Sequence, residues 1–175
     1  MRLFIAVQFN PNTIDKLVSL REELRASSGR NNFTPDQNLH LTLVFIGECD
    51  AGQTETAKGC VNAAAFVPLE IRFDRIGRFG RDGGDIWWAG VRADGALTDL
   101  QKFLTNELIK KGFPVDTRAY NPHVTLGREV ETDFAPRPIG PFGETARSVD
   151  LMKSERVNGK LTYTSIYSIG EALCN

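Results

Sequence analysis

A chain of 175 residues with 41% hydrophobic and 25% charged residues has the size and composition of one globular domain, here residues 1–175. Its 21 basic and 22 acidic side chains give a net charge of −1, which excludes a broadly basic coat for long nucleic acid but leaves room for a local basic pocket. The apolar start is too short for a secretory leader, and no apolar run reaches the length of about 18–20 residues that crosses a bilayer. We therefore expect a cytoplasmic protein that does not associate with membranes.

The first quarter of the chain predicts strand, helix and strand. Leu3–Phe9 is apolar and favours a β-strand, and an Asn-Pro pair then introduces an amphipathic helix over residues 11–27. A polar loop is predicted over Asn31–Asn38. Leu39–Ile46 alternates as a half-buried strand, with Leu39, Leu41, Leu43 and Phe45 on the buried face.

The middle of the chain repeats this order. After a helix over residues 51–65, two strands flank the hairpin signal Arg81–Asp85. Asp94 is a predicted helix cap, and Lys110-Lys111-Gly112 ends that helix. Tyr120–Leu126 is a short strand whose beginning is marked by a proline.

The last part predicts a loop and a hairpin. Phe134–Gly143 is rich in proline and glycine and is expected to be a loop. Strands at residues 145–156 and 160–170 flank Asn158-Gly159, a strong turn signal.

The three cysteines, Cys49, Cys60 and Cys174, show neither a CxxC pair nor metal-ligand spacing. We expect reduced thiols, with Cys60 acting as a small buried hydrophobic side chain.

The two halves of the chain align at one constant offset. The offset that places Ala6 on Ala89 also places the segment Leu39–Leu43 on Pro122–Leu126 without a gap. The alignment indicates a duplicated strand–helix–strand unit.

The only two histidines occupy matched positions in this repeat, and each precedes a threonine by two residues: His40 with Thr42, and His123 with Thr125. Residues i and i+2 of a strand point to the same face, so each strand presents one imidazole beside one hydroxyl. Two such pairs facing a common cleft suit a tetrahedral phosphate. One neutral imidazole could take a proton from an attacking water while a protonated one delivers a proton to the departing alkoxide.

These paired motifs resemble those of the 2H phosphoesterases, and in particular the RNA 2′,3′-cyclic phosphodiesterases once named 2′-5′ RNA ligases. The start Arg2–Val7, the stretch Trp88–Val91 and the segment Pro122–Arg128 carry the same resemblance. It implies an α+β fold, bilobal by pseudo-two-fold duplication, with two antiparallel sheets facing a central cleft and helices on the outside.

The resemblance also implies the roles of the site residues. His40 is the implied proton donor, His123 the proton acceptor, and Thr42 and Thr125 the phosphate-binding hydroxyls. The implied partners are RNA ends or nucleotides with a 2′,3′-cyclic phosphate, and the implied product is a 2′-phosphomonoester, formed without metal or cofactor. We expect a monomer.

Two secondary residues are candidates for substrate binding. Arg128 could place a fixed charge on the phosphate, but strict alternation puts it opposite His123, so this needs a bend at Gly127. Phe4 lies on the cleft face of its strand, where it could stack on a base or belong to a second small core.

Three other functions are compatible with the same residues. End joining of the 2′-5′ RNA ligase type could use the same acid–base pair, although no nucleotide-activating motif is present. A nucleotide-binding module without turnover would not need two proton carriers. A zinc site with His40 and His123 as ligands shows no third ligand at sensible spacing.

Overall fold

The computed structural model of the protein describes residues 1–170, apart from the side chains of residues 30 and 31, so Cys174 lies outside the described residues. The elements, in chain order, are β1 (Arg2–Val7), α1 (Pro11–Ala26), β2 (Ser28–Phe33), a 3₁₀ turn (Asp36–Asn38), β3 (Leu41–Glu48), α2 (Ala51–Asn62), β4 (Leu69–Phe79), β5 (Asp85–Val91), α3 (Gly95–Lys110), β6 (His123–Thr132), β7 (Arg137–Ala146), β8 (Ser148–Val157) and β9 (Lys160–Gly170).

The described strands form two antiparallel sheets, in the orders β3-β1-β8-β9 and β2-β6-β5-β4-β7. The predicted α+β class with two antiparallel sheets is confirmed. The offset of the repeat places β1 on β5 and β3 on β6, and each of the pairs β1–β3 and β5–β6 is adjacent in its sheet. The order β6-β5-β4-β7 thus corresponds to the order β3-β1-β8-β9, and β2 is an additional edge strand.

The helices begin where their caps predict. The Asn10 side chain accepts a hydrogen bond from the Thr13 amide, and Pro11 is the first helical residue of α1. Asp94 caps α3 by accepting from the Leu97 amide. For α2, Asp50 and Gln53 form a reciprocal capping box.

One main core joins the helices to both sheets. Alternate residues of β1, among them Leu3 and Ile5, belong to this core, together with apolar residues of all three helices and the buried Cys60. The intervening residues Phe4 and Ala6 lie on the other face of β1, in a small separate cluster with Met152. The sheet β3-β1-β8-β9 therefore has one face on the helical side and one face toward the predicted cleft.

Two predicted loops are strands instead. β2 occupies Ser28–Phe33, where a polar loop was expected from residue 31. β7 occupies Arg137–Ala146, which begins inside the expected loop Phe134–Gly143 and continues past its end. Both are edge strands, with a neighbour on one side only, and an edge position tolerates polar residues and prolines whose missing N–H would break an interior ladder. The polar and proline-rich composition therefore reflects their place in the sheet.

The predicted turns are confirmed. Asn158 and Gly159, between β8 and β9, both have positive φ, and so do Gly83 and Gly84 between β4 and β5. In the predicted strand Tyr120–Leu126, β6 begins directly after Pro122, as the proline indicated.

Candidate active site

His40 lies between the 3₁₀ turn and β3, and both of its ring nitrogens have partners. Its Nδ1 is 2.7 Å from the Asn38 carbonyl oxygen, and its Nε2 is 3.0 Å from the Thr42 hydroxyl oxygen. A carbonyl only accepts, so Nδ1 carries a hydrogen and Nε2 is the nitrogen that gains or loses a proton. Thr42 shares the face of His40, as the spacing predicted.

His123, the first residue of β6, repeats this arrangement. Its Nδ1 is 2.7 Å from the carbonyl oxygen of Asn121, which is the repeat equivalent of Asn38. The same backbone acceptor therefore fixes the same tautomer in both halves, leaving Nε2 as the proton-exchanging atom.

Aromatic rings hold each imidazole. The His40 ring contacts the rings of Phe4 at a centroid distance of 4.9 Å and Tyr163 at 5.1 Å. The His123 ring contacts Phe79 at 5.1 Å and lies 6.0 Å from Trp88. These contacts restrict ring rotation, which keeps the two Nε2 atoms positioned.

Burial lowers the pKa of both histidines. Desolvation is the largest cause for His40 and for His123, and it outweighs the hydrogen bonds to Asn38 and Asn121, which raise the pKa values. The positive charge of Arg128 lowers both pKa values further. Near neutral pH these surroundings therefore favour two neutral imidazoles.

One cavity of about 660 Å³ brings the two motifs together. It is lined by His40, Thr42, His123 and Thr125, and by three arginines, Arg2, Arg118 and Arg128. The arginines make the cavity basic although the chain as a whole has a net charge of −1. Such a local basic pocket suits a small anion with four or more oxygen acceptors.

A β-bulge brings Arg128 into this cavity. Trp88 pairs with Thr125 but Trp87 pairs with Gly127, so Leu126 is an extra residue in β6. The extra residue shifts the alternation by one position, and Arg128 therefore lines the same cavity as His123. The bend at Gly127 that Arg128 needs in order to reach the cavity is therefore present, as this bulge at Leu126 and Gly127.

The same bulge occurs in the first half of the repeat. Ala6 pairs with Thr42 but Ile5 pairs with Val44, so the extra residue in β3 is Leu43, the repeat equivalent of Leu126. The prediction that Phe45 lies on the buried face is wrong, because the bulge turns Phe45 to the cavity side, where it is 46% exposed.

Phe4 belongs to the small second core. Its side chain is 4% exposed and packs between His40 and Tyr163, with a centroid distance of 5.0 Å to the Tyr163 ring. The face predicted for Phe4 is confirmed, but little of its ring is free to stack on a base. Phe4 instead supports the His40 imidazole.

The sequence patterns did not indicate several residues of the site. Tyr163 comes from β9, outside the repeat, and Arg118 comes from the segment before β6, so no local pattern marks either. Asn38 and Asn121 could have been found, because the repeat extends to both.

Other sequence predictions concern metals and membranes. Among residues 1–170, no three His, Cys, Asp or Glu residues lie close enough to hold a metal ion, so the zinc hypothesis gains no further ligand there.

Burial raises the thiol pKa values of Cys49 and Cys60. In the described part of the chain, no helix is long and apolar enough to span a membrane.

Comparison with known proteins assigns the chain to a family. The model of the 2′-5′ RNA ligase superfamily matches residues 10–147. A protein of Archaeoglobus fulgidus named RNA 2′,3′-cyclic phosphodiesterase is 33% identical over 129 residues, which cover 73% of this chain and 72% of the relative. A protein of Thermus thermophilus with the same name is 30% identical over 151 residues, which cover 81% of this chain and 73% of the relative.

Solved structures share the fold. A crystal structure of a Thermus thermophilus protein matches with a TM-score of 0.83 and 24% identity, covering 97% of each chain. Escherichia coli LigT in complex with 3′-AMP matches with a TM-score of 0.81 and 21% identity, covering 97% of this chain and 96% of LigT. The chain belongs to the 2′-5′ RNA ligase superfamily, and the resemblance that its paired motifs indicated is confirmed. Its curated relatives carry the name RNA 2′,3′-cyclic phosphodiesterase.

Proposed function

We propose that this protein hydrolyses 2′,3′-cyclic phosphate ends of RNA to 2′-phosphomonoesters by metal-independent acid–base catalysis from His40 and His123. One observation carries the proposal: both imidazoles line one cavity, and each has its Nδ1 committed to a backbone carbonyl. Each ring therefore offers one nitrogen, Nε2, for proton exchange with a substrate. The names of the relatives support the same activity.

The chemical step needs one proton acceptor and one proton donor. The neutral imidazole accepts a proton from water as the water oxygen bonds to phosphorus. The bond between phosphorus and O3′ breaks, and the protonated imidazole donates its proton to the departing O3′. The product keeps the phosphate on O2′. The two rings have similar surroundings. The assignment of His40 as donor and His123 as acceptor therefore comes from the family resemblance.

Substrate binding would favour uptake of the missing proton from the solvent. Both histidines favour the neutral form in the free enzyme, but a phosphodiester anion between them favours the protonated form of one ring. Once His40 Nε2 carries the proton, the Thr42 hydroxyl no longer donates to it. The hydroxyls of Thr42 and Thr125 would then each donate a hydrogen bond to a non-bridging oxygen, and the Arg128 guanidinium would balance the phosphate charge. These groups also stabilise the charge that develops during attack.

The cavity fits a terminal nucleotide. Its volume of about 660 Å³ lies within the range of about 300–1,000 Å³ common for small-molecule sites. Escherichia coli LigT, which shares the fold, has been crystallised with 3′-AMP and with phosphate. These observations support an RNA end or a nucleotide as the ligand.

The test uses an oligonucleotide with a 2′,3′-cyclic phosphate end, incubated with the protein in the presence of EDTA. We expect conversion to the 2′-phosphate alone, resolved from the 3′-isomer by chromatography. His40→Ala and His123→Ala should each lower kcat by about 10²–10⁴-fold, the usual contribution of a positioned acid or base. Thr164→Ala, at an exposed threonine of β9 away from the cavity, should retain wild-type activity.

Other outcomes separate the alternatives. Nucleotide binding without turnover would indicate a binding module, and joining of RNA ends under the same conditions would indicate a ligase. Loss of activity in EDTA, restored by added metal, would contradict the metal-independent mechanism. Melting temperatures of the two histidine variants should be measured so that unfolding is not mistaken for lost catalysis.

A further inference from the structure

Arg21, on α1, is a charged side chain held inside the protein. It is 6% exposed, and among the arginine and lysine side chains that the structure describes it is the buried one. It does not line the cavity of the two histidines. A guanidinium is costly to remove from water unless its N–H groups find partners, so the partners of Arg21 indicate why α1 carries an arginine at this position.

The guanidinium of Arg21 binds the segment that leads into His40. Its Nη1 donates to the Thr34 carbonyl oxygen at 2.7 Å and to Asp36 Oδ1 at 2.6 Å. Its Nε and Nη2 donate to Oε1 of the neighbouring Glu22 at 3.1 Å and 2.9 Å, which fixes the plane of the guanidinium. The side chain therefore ties α1 to the stretch of chain just before the first H-x-T motif.

The Asp36 end of this contact leads to the His40 ring. Asp36 is the first residue of the 3₁₀ turn that ends at Asn38, and the Leu39 amide closes the turn by donating to the Asp36 carbonyl oxygen at 3.1 Å. The Asn38 carbonyl oxygen in turn accepts the Nδ1 hydrogen of His40 at 2.7 Å. Holding Asp36 thus holds the group that selects the tautomer of the imidazole.

The Thr34 end leads to the other half of the cavity. The Thr34 amide donates to the carbonyl oxygen of Leu126 at 2.9 Å, and Leu126 is the extra residue of the bulge in β6. Thr34 itself lines the cavity. Because β2 and β3 belong to different sheets, the segment between them passes from one sheet to the other, and Arg21 holds this passage from the side of α1.

The second half of the repeat has a different residue at the equivalent position. The constant offset places Arg21 on Leu104, a core residue of α3 that is 0% exposed. The helix therefore offers the segment before His123 apolar packing at this position and no guanidinium. The two imidazoles have the same backbone acceptor at Nδ1, but only the acceptor of His40 is held by this arginine, so the loss of Arg21 should affect His40 alone.

We propose that Arg21 is a positioning residue for His40: it holds the turn Asp36–Asn38 so that the Asn38 carbonyl keeps the neutral His40 ring in one tautomer. The inference rests on the proposed function only in giving His40 a proton to transfer. Without the guanidinium the turn can move relative to α1, and the ring loses its fixed acceptor. The neutral ring then becomes a mixture of two tautomers, and Nε2 is less often in the state and position that proton exchange needs.

The test is ¹⁵N NMR of the imidazoles, because the two nitrogens of a neutral ring differ according to which of them carries the hydrogen. The chain has two histidines, so each ring gives its own signals, which His40→Ala and His123→Ala assign. Spectra are recorded well above pH 6.5, where both rings are neutral. In Arg21→Met, which keeps an unbranched apolar side chain, the His40 signals should move toward those of a tautomer mixture while the His123 signals stay unchanged.

The same variant should turn over cyclic phosphate more slowly. We expect kcat to fall by about 10- to 100-fold, the effect of a small displacement of a catalytic group. KM should stay close to the wild-type value, because Arg21 does not line the cavity.

A second variant and a control complete the experiment. Asp36→Ala removes the other end of the ion pair at a side chain that is 60% exposed, so this variant tests the proposal if Arg21→Met does not fold, and it should change the His40 signals in the same way. The control is Arg137→Met. Arg137 joins β7 to α1 through Glu23 at 2.6 Å and does not line the cavity, so its loss should leave kcat and both sets of histidine signals unchanged.

Unchanged His40 signals in both Arg21→Met and Asp36→Ala would overturn the proposal. Equal changes at His40 and His123 would also overturn it, because they would indicate a general loosening of the fold. In an active enzyme, a changed His40 tautomer without a loss of kcat would show that the reaction does not need this positioning. The NMR result needs no turnover, so His40 signals that depend on Arg21 in a protein without activity would reject the proposed function and leave the contact to His40 established.

Discussion

The hydroxyl of Tyr120 donates a hydrogen bond of 2.9 Å to the carbonyl oxygen of Thr42. Tyr120 lies three residues before His123, and Thr42 belongs to the first H-x-T motif, so this bond joins the first motif to the segment that leads into the second. Burial raises the pKa of Tyr120 above its ordinary value, so the hydroxyl keeps its hydrogen at every pH at which the enzyme would work.

Removing this hydroxyl should loosen the connection between the first motif and that segment. We expect Tyr120→Phe to lower the free energy of unfolding by about 1 kcal/mol, because it leaves the Thr42 carbonyl without its partner. Urea denaturation measures the change. Tyr167→Phe is the control, since the Tyr167 hydroxyl bonds the Asn62 side chain at an exposed position and its loss should cost much less. Equal losses in the two variants would contradict a special role for Tyr120.

The pH dependence of kcat/KM should reflect the two histidines of the free enzyme. Their pKa values lie below the ordinary 6.5, so raising the pH above 6.5 leaves both neutral and removes the proton donor. Lowering the pH protonates both and removes the acceptor. We therefore expect a bell-shaped profile with its optimum on the acid side of pH 6.5.

The profile of kcat should have its optimum at higher pH, because the bound phosphodiester anion raises the histidine pKa values. Initial rates from pH 4.5 to 9 at low and at saturating substrate separate the two profiles. A kcat/KM that rises steadily through pH 8 would be incompatible with lowered pKa values at both histidines.

Arg128 should influence both binding and the pH profile. Its charge lowers the pKa of His40 and of His123, so Arg128→Gln should move the alkaline limb of kcat/KM to higher pH. KM should increase by about 10- to 100-fold, the effect of losing a hydrogen bond to a charged group. Arg128→Lys retains the charge and should keep the wild-type pH profile, while binding weakens because the two-pronged guanidinium is lost. An unshifted profile in Arg128→Gln would show that its charge does not reach the histidines.

The assignment of donor and acceptor can be tested with a better leaving group. A p-nitrophenyl phosphodiester releases an anion that needs no proton, so loss of the proton donor should matter little for this substrate. His40→Ala should retain much more of its wild-type rate on this ester than on the cyclic phosphate. His123→Ala should be strongly impaired on both. The reverse pattern would exchange the two roles.

The two threonines should have similar effects on phosphate binding but different effects on His40. Thr42→Val and Thr125→Val should each weaken binding of 2′-AMP by about 10-fold through loss of a hydrogen bond to phosphate. Of the two, Thr42 is the one hydrogen-bonded to a histidine, at 3.0 Å from His40 Nε2. The NMR titration of His40 should therefore change in Thr42→Val and not in Thr125→Val, and an identical His40 titration in both variants would argue against this hydrogen bond.

Features that depend on a few neighbouring residues could be predicted from the chain alone. The helix caps at Asn10 and Asp94, the hairpin turn at Asn158-Gly159 and the two H-x-T motifs are of this kind. The constant offset between the halves also predicted that the motifs come from equivalent strands, because a duplicated unit folds in the same way twice.

Which further side chains reach the cavity depends on long-range contacts. The bulges at Leu43 and Leu126 depend on the pairing of β3 with β1 and of β6 with β5, and they reverse the alternation that a single strand predicts. Arg128 and Phe45 therefore face the cavity, while Phe4 packs beneath His40. Strand pairing, edge position and the approach of Tyr163 from the last strand join distant parts of the chain, and no pattern within a few residues encodes them.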